Sequence, residues 1–159
     1  MKSLTRSQLI KRIDTLRQTC ARYHGAKKSK GEWVNTCVTC GRILPCSKQN
    51  GGHWVGRTCY PLRWHPLNVH CQCPHCNLHL SGNPIAYNKF IIDTYGMDTF
   101  NQITDTYLRW KAGKIPAFKM SELKDIYDEW LAEGRKLEKK TGLELFPKTW
   151  LPFGPDFIK

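Results

Sequence analysis

Apolar residues recur at helical spacing near the start of the chain. Leu4, Leu9, Ile13, Leu16 and Cys20 mark one face, which predicts an amphipathic helix over residues 3–23. Arg6, Lys11, Arg12, Arg17 and Arg22 crowd the other faces. The basic stretch HGAKKSKGE follows and reads as a loop. Between residues 33 and 83, helical periodicity is lost until after Cys73, and short strand-like pieces alternate with Cys, His and Gly. One such piece is 68–72, where a strand period would point Asn68, His70 and Gln72 the same way. From Pro84 the helical pattern returns. Helices are predicted over 84–95, ended by Gly96, over 98–111, ended near Gly113, and over 121–140, with Asp98 and Ser121 as N-caps. Leu123, Ile126, Tyr127, Trp130, Leu131 and Leu137 form the stripe of the last helix. The tail, PKTWLPFGPDFIK, holds three of the nine prolines and is expected to lie extended over the body. The pattern divides the chain into a basic helix and loop (1–32), a Cys-rich core (33–96) and a helical extension with a Pro-rich tail (97–159). No internal repeat or low-complexity segment interrupts it.

Charge adds direction to this picture. The chain of 159 residues carries a formal net charge of +12. Residues 1–65 hold 13 Lys and Arg against only Asp14 and Glu32, whereas residues 66–159 hold 12 against 11. A basic field concentrated in this way suits a polyanion, because each phosphate neutralised releases condensed counterions. Lys27, Lys28 and Lys30 in the basic loop are candidate contacts. No apolar run reaches membrane-spanning length and no secretory leader is visible.

Eight cysteines are present. Without a secretory leader, disulfides are a poor explanation for them. Cys37-x-x-Cys40 and Cys73-x-x-Cys76 instead form two knuckles whose four thiolates can close a tetrahedral Zn²⁺ site. Four thiolates leave no open position, so such an ion is structural. Cys20, Cys46, Cys59 and Cys71 are then buried apolar groups or free thiols, and His75 is expected to be exposed. The pieces predict an α+β chain.

Between and after the knuckles the chain reads GGHW (51–54) and PLNVHCQCPHCNLHLSGN (66–83). Phosphodiester hydrolysis needs a base, a cation and a scaffold that fixes both. Neutral imidazole is a suitable base, and a hard cation such as Mg²⁺ prefers oxygen ligands, which Asn can supply. Gly52-His53, Asn68 and Cys73-x-x-Cys76-Asn77 resemble the zinc-stapled form of the HNH motif. More narrowly, CVTCG, GGHW, the LRW segment, NVH-x-QC and CN-x-H-x-SGN resemble the NinG/Rap family of lambdoid phages, over residues 34–103.

That resemblance implies a small ββα-metal (HNH, His-Me finger) core with one structural zinc, surrounded by helices. It implies His53 as general base at the end of a strand, Asn68 as the brace of the following loop, and Asn77 as ligand of a catalytic Mg²⁺ or Mn²⁺. It further implies a phage-encoded endonuclease acting on branched DNA, such as Holliday junctions and D-loops, in the host cytoplasm. Many HNH enzymes place a metal-binding Asp directly before the base, where this chain has Gly52. Either the ion then has Asn77 as its main protein ligand and keeps several waters, or His79 or Asn83 supplies a second contact. Arg57 and Arg63 are candidate phosphate contacts, Arg63 as a bidentate clamp. His70 is a candidate for orienting DNA or the base, with a structural hydrogen bond as the equal alternative. Trp54, Tyr60 and Trp64 read as core or as cover for the zinc, and His24 and His65 receive no role.

Gly52 favours a second reading, a noncatalytic zinc-containing DNA-binding protein. Charge alone does not separate DNA from RNA. Symmetric cutting of two strands would need two active sites, so a homodimer is a further expectation. The 121–140 stripe is its candidate interface, although packing on its own body is the commoner fate of such a stripe.

Overall fold

The computed structural model describes residues 4–153. Among the described residues, three α-helices, short 3₁₀ and π segments and two small sheets make a mixed α/β architecture. The first helix, α1 (Arg6–Tyr23), starts at Thr5, whose hydroxyl accepts the Gln8 amide at 3.3 Å while the Gln8 side chain accepts the Thr5 amide at 2.9 Å. This reciprocal cap satisfies two otherwise orphaned donors. Ser3, the predicted helix start, lies outside the described residues. Leu9, Ile13, Leu16 and Cys20 are buried along one face, as the spacing predicts.

Arg17 departs from that prediction. Its guanidinium is buried, donating to the carbonyls of Pro66 at 2.7 Å and Val69 at 2.5 Å and lying over the Trp130 ring at 4.3 Å. Burial lowers its pKa to about 10. A surface charge was expected there. The structure uses the residue as a clamp between α1 and the chain leading into a strand.

The basic loop is also more ordered than its composition predicts. Lys27–Ser29 forms β1 and pairs antiparallel with β2 (Glu32–Thr36) across Lys30 and Gly31, both at positive φ. Two left-handed residues make a tight hairpin turn that matches strand twist. Lys27, Lys28 and Lys30 all remain exposed. β3 (Ile43–Pro45) completes this sheet on the other edge of β2. The second sheet is a hairpin of β4 (Asn50–His53) and β5 (Val69–Gln72), in which Gly52 faces His70 and His53 faces Val69.

The hairpin packs on α1 at close range. A Cβ on Gly51 would lie 2.6 Å from the Gln18 Cα, so only glycine lets the strand approach this backbone. α2 (Pro84–Lys111) is kinked at Gly96, where φ is 86°, the position at which the sequence ends one helix and begins another. α3 (Met120–Thr141) begins one residue before the predicted N-cap. Its cap is Lys119, whose amide donates to the Glu122 carboxylate, so Ser121 lies inside the helix. Leu123, Tyr127, Leu131 and Leu137 are buried with the α1 face in the main core. The α3 stripe is therefore covered by the chain's own first helix.

The tail is tied over α3 as far as it is described. Phe146 is buried beside Gly134, and Arg135 donates to the carbonyls of Pro147 and Trp150 at 3.0 and 3.1 Å. Among the described residues, no helix is long and apolar enough to cross a membrane.

Candidate metal centre and adjoining cleft

The first knuckle sits at the turn between β2 and β3, and the second directly follows β5. The Cys37 amide donates to the Arg42 carbonyl at 2.9 Å and the Val38 amide to the Cys71 carbonyl at 3.0 Å, which brings the two knuckles together. The sulfurs of Cys37, Cys40, Cys73 and Cys76 lie within 4.8 Å of one another, with Cys40 and Cys73 at 3.7 Å. A tetrahedron of Zn–S bonds near 2.3 Å has an edge of about 3.8 Å. The four cysteines are thus clustered at metal-binding distance, and their geometry and chemistry fit a structural metal such as zinc. Burial pushes the Cys37 thiol up, but hydrogen bonds from Thr39 and neighbouring backbone outweigh it and hold the pKa at about 6. Cys20, Cys46, Cys59 and Cys71 are buried free thiols, and burial drives Cys20 and Cys71 up to about 12. His75 is exposed, and the His79 ring lies tilted beside it, centroids 5.8 Å apart.

A cleft of about 440 Å³ opens beside this centre, and His53 and Asn77 both line it. His53 Nε2 lies 2.9 Å from the Arg63 carbonyl. A carbonyl only accepts, so Nε2 carries the proton and Nδ1 keeps its lone pair. Burial lowers the His53 pKa to about 4, so the ring is neutral at physiological pH. Asn68 is fully buried and holds the loop that returns from β4. Its Oδ1 accepts the Val55 amide at 2.7 Å, and its Nδ2 donates to the carbonyls of Val55 and Leu62 at 2.9 and 2.8 Å.

Other candidates lie elsewhere. The Arg63 fork is held by Asp14, with Nε–Oδ1 at 2.9 Å and Nη2–Oδ2 at 2.7 Å, so its guanidinium is engaged within the fold and its carbonyl is what reaches His53. Arg57, exposed, is the arginine that lines the cleft. His79 does not line it, and Asn83 turns its Nδ2 toward the Cys76 sulfur at 3.8 Å. Trp64 is buried in the main core, and Trp54 packs in a smaller cluster with its Nε1 on Asn88 Oδ1 at 2.7 Å. Gln18, Asn50 and Ser81 also line the cleft. Nothing in the local sequence points to Gln18 or Asn50, and Gln18 arrives from α1 only through the fold; Ser81 belongs to the SGN segment, which carried no role for it.

His70 lies between two tyrosines, with Nδ1 3.0 Å from the Tyr87 hydroxyl and Nε2 3.1 Å from that of Tyr95. Tyr87 spends its one proton on the Gly52 carbonyl at 2.9 Å. It therefore accepts from Nδ1–H, which fixes the His70 tautomer. Burial lowers the His70 pKa to about 3. Both His53 and His70 thus titrate lower folded than unfolded, where histidine has a pKa of about 6.5. Their stabilisation is complete above about pH 6.5 and is lost as pH falls toward 4 and then 3, because the unfolded chain binds protons that the folded chain refuses. Both shifts come from burial disfavouring the charged ring, so the loss appears on acidification and is not a contribution that holds the fold at neutral pH. Urea midpoints should fall from pH 6.5 to 4, and His70→Gln should flatten that slope. An unchanged slope in the variant would contradict the assignment.

The missing acid before His53 has a steric explanation. A Cβ on Gly52 would lie 1.9 Å from Gln72 Oε1, 2.7 Å from its Cδ and 2.9 Å from its Cγ. Gln72 is fully buried, and its Nε2 donates to Thr39 Oγ1 at 3.1 Å and to the Gly82 carbonyl at 2.8 Å. A side chain at position 52 must evict this amide and break both bonds. Gly52→Ala should therefore destabilise the fold by about 2–4 kcal/mol in urea denaturation. In a Gln72→Ala background the cost should largely disappear; strict additivity of the two changes would refute the clash.

The family model for the bacteriophage lambda NinG protein matches residues 5–140. Protein ninG of Salmonella phage P22 is 32% identical over 98 residues, covering 58% of this chain and 48% of that protein. Protein ninG of Escherichia phage lambda is 31% identical over 96 residues, covering 57% and 47%. The aligned region is about half the length of these curated relatives, and no solved structure gives a significant match. Because the family match runs from α1 through both knuckles and the cleft into α3, the chain belongs to the NinG family of bacteriophage proteins.

Proposed function

We propose that this chain is an HNH-type, metal-dependent endonuclease that cuts branched DNA in phage recombination, within the host cytoplasm. The observation that carries the reading is one cleft lined by both His53 and Asn77, with His53 Nδ1 free to accept a proton. The β4–β5 hairpin, followed by the second knuckle and the short helical turn His75–His79 that bears Asn77, supports a ββα-metal unit in which zinc on the four thiolates fixes the scaffold.

The donors at the cleft fit a hard cation. Asn77, Asn50 and Gln18 offer amide oxygens and Ser81 a hydroxyl, all neutral. Asn77 would be the principal protein ligand. A Mg²⁺ or Mn²⁺ held there would supply positive charge to offset the negative charge of the phosphate and of the leaving oxygen. The chain's own groups do the rest. Arg57 draws the scissile phosphate into the cleft. His53 Nδ1 takes a proton from water as the water oxygen bonds to phosphorus. The P–O3′ bond breaks, and O3′ takes a proton from solvent, leaving a 5′-phosphate and a 3′-hydroxyl. The Arg63 carbonyl holds the neutral ring in the required tautomer and keeps accepting from Nε2–H once Nδ1 is protonated. The exposed Lys27, Lys28 and Lys30 of the β1–β2 hairpin extend the basic surface available to DNA.

A second reading, a noncatalytic zinc-containing DNA-binding protein, draws on one observation: among the described residues, no carboxylate lines the cleft. The test that separates them uses purified protein and a labelled four-way junction with Mg²⁺ or Mn²⁺, with and without EDTA. The nuclease reading expects cutting at millimolar cation that stops with EDTA, since neutral ligands bind weakly. Binding without cutting in either cation would favour the second reading, and cutting that survives EDTA would remove the metal from the mechanism.

A further inference from the structure

The helical turn His75–His79 and the turn that follows it expose apolar side chains beside the cleft. Leu78 is 65% exposed and lines the cleft itself, Leu80 is 43% exposed, and Ile85 is 84% exposed at the start of α2. Soluble proteins expose single leucines routinely, but this turn is also held rigid. The Leu80 amide donates to the His75 carbonyl at 3.0 Å, that of Gly82 to Cys76 at 2.9 Å, and that of Asn83 to Leu80 at 2.8 Å. Gln72 binds the Gly82 carbonyl from below. Ser81, Gly82 and Asn83 all have positive φ, at 49°, 86° and 52°. Three consecutive left-handed residues, two of them not glycine, cost free energy that the surrounding bonds must offset. The segment therefore holds Leu78 at the cleft that also bears His53, Asn77 and Arg57, with Leu80 exposed next to it.

We propose that Leu78, supported by Leu80, is a wedge that inserts against an unstacked base at a branch point when the neighbouring phosphate enters the cleft. This rests on the nucleic-acid reading above and deepens it by naming what selects branched over continuous duplex. Apolar wedges of this kind separate base steps in proteins that bend or open DNA. At a branch the bases next to the crossover are already weakly stacked, so insertion is least costly there. In continuous duplex the same insertion must break a full stacking step. The wedge thus converts an apolar contact into a preference for structure and carries no base code. Arg57 in the same cleft supplies the complementary contact to the backbone.

The test uses the full chain loaded with zinc, EDTA-free Ca²⁺ buffer to support binding without turnover, and a four-way junction with 2-aminopurine at the crossover. Wild type should raise 2-aminopurine fluorescence several-fold at saturation, and should bind the junction at least tenfold more tightly than a linear duplex of equal length. Leu78→Ser should lose most of the fluorescence rise and most of the junction preference, while duplex affinity stays within about twofold and zinc content is unchanged. Leu78→Met, which keeps an apolar tip, should retain both. An undiminished rise in a folded Leu78→Ser/Leu80→Ser chain would overturn the wedge while leaving nucleic-acid binding intact. Failure of the wild type to bind either DNA would overturn the underlying reading and the wedge together.

Discussion

His53→Ala should lose cutting of a junction substrate by about 10³-fold, within the usual range for removal of a general base, while junction affinity and zinc content stay near wild type. The reasoning is local. The ring is half-buried, its single hydrogen bond goes to the Arg63 carbonyl, and it contributes nothing to the thiolate cluster. Alanine therefore removes the proton acceptor and one hydrogen bond and leaves the hairpin standing on its ladder. The expected fold loss of stability is small for the same reason, and at pH below 6.5 the variant should be less acid-sensitive than wild type, because one depressed histidine has gone. The comparison is made by single-turnover cutting with binding measured in parallel. Cutting at the wild-type rate would remove His53 from the chemistry.

Cys73→Ser should unfold the chain outright. Structural zinc contributes about 10–16 kcal/mol in small thiolate sites, more than the 5–15 kcal/mol typical of a whole domain. A serine hydroxyl is a poor substitute for thiolate at such an ion. Here the centre joins the turn between β2 and β3 to the end of β5, so both sheets lose their link at once. Cys73 is fully buried, and its sulfur also accepts the Cys76 amide at 3.4 Å. Cys59→Ser makes the contrast. Cys59 is equally buried but lies in a separate cluster with Leu62 and Ile103, so its cost should be about 1–3 kcal/mol with zinc retained. Near-ultraviolet circular dichroism and metal analysis read both outcomes. A folded, active Cys73→Ser chain would contradict the structural-metal assignment.

Much of this architecture was legible from spacing. The α1 face, the Gly96 break, the α3 stripe and the two knuckles each follow from a local period or a local pair, and local patterns survive into the fold. What was not legible depends on contacts distant in sequence. Arg17 is an outward charge by helical period, yet the carbonyls of Pro66 and Val69 and the Trp130 ring make a buried site for it. Arg63 invited a phosphate by its chemistry, and Asp14, 49 residues away, engages it instead. The basic loop became a hairpin because Lys30 and Gly31 adopt left-handed conformations, which composition does not reveal. At the cleft, the resemblance to the HNH motif implied His53 and Asn77 as a pair, and both line the same cleft. Gln18 and the steric reason for Gly52 emerge only once α1 and β5 are packed beside β4.

The most direct measurement of the cleft's chemistry is Mn²⁺ binding to zinc-loaded protein, followed by electron paramagnetic resonance in wild type, Asn77→Ala and His53→Ala. One carboxamide holding a hydrated cation beside a free imidazole predicts one Mn²⁺ per chain in wild type, at least tenfold weaker binding in Asn77→Ala, and near-normal binding in His53→Ala. Mn²⁺ that binds Asn77→Ala as well as wild type, or that does not bind at all, would contradict it.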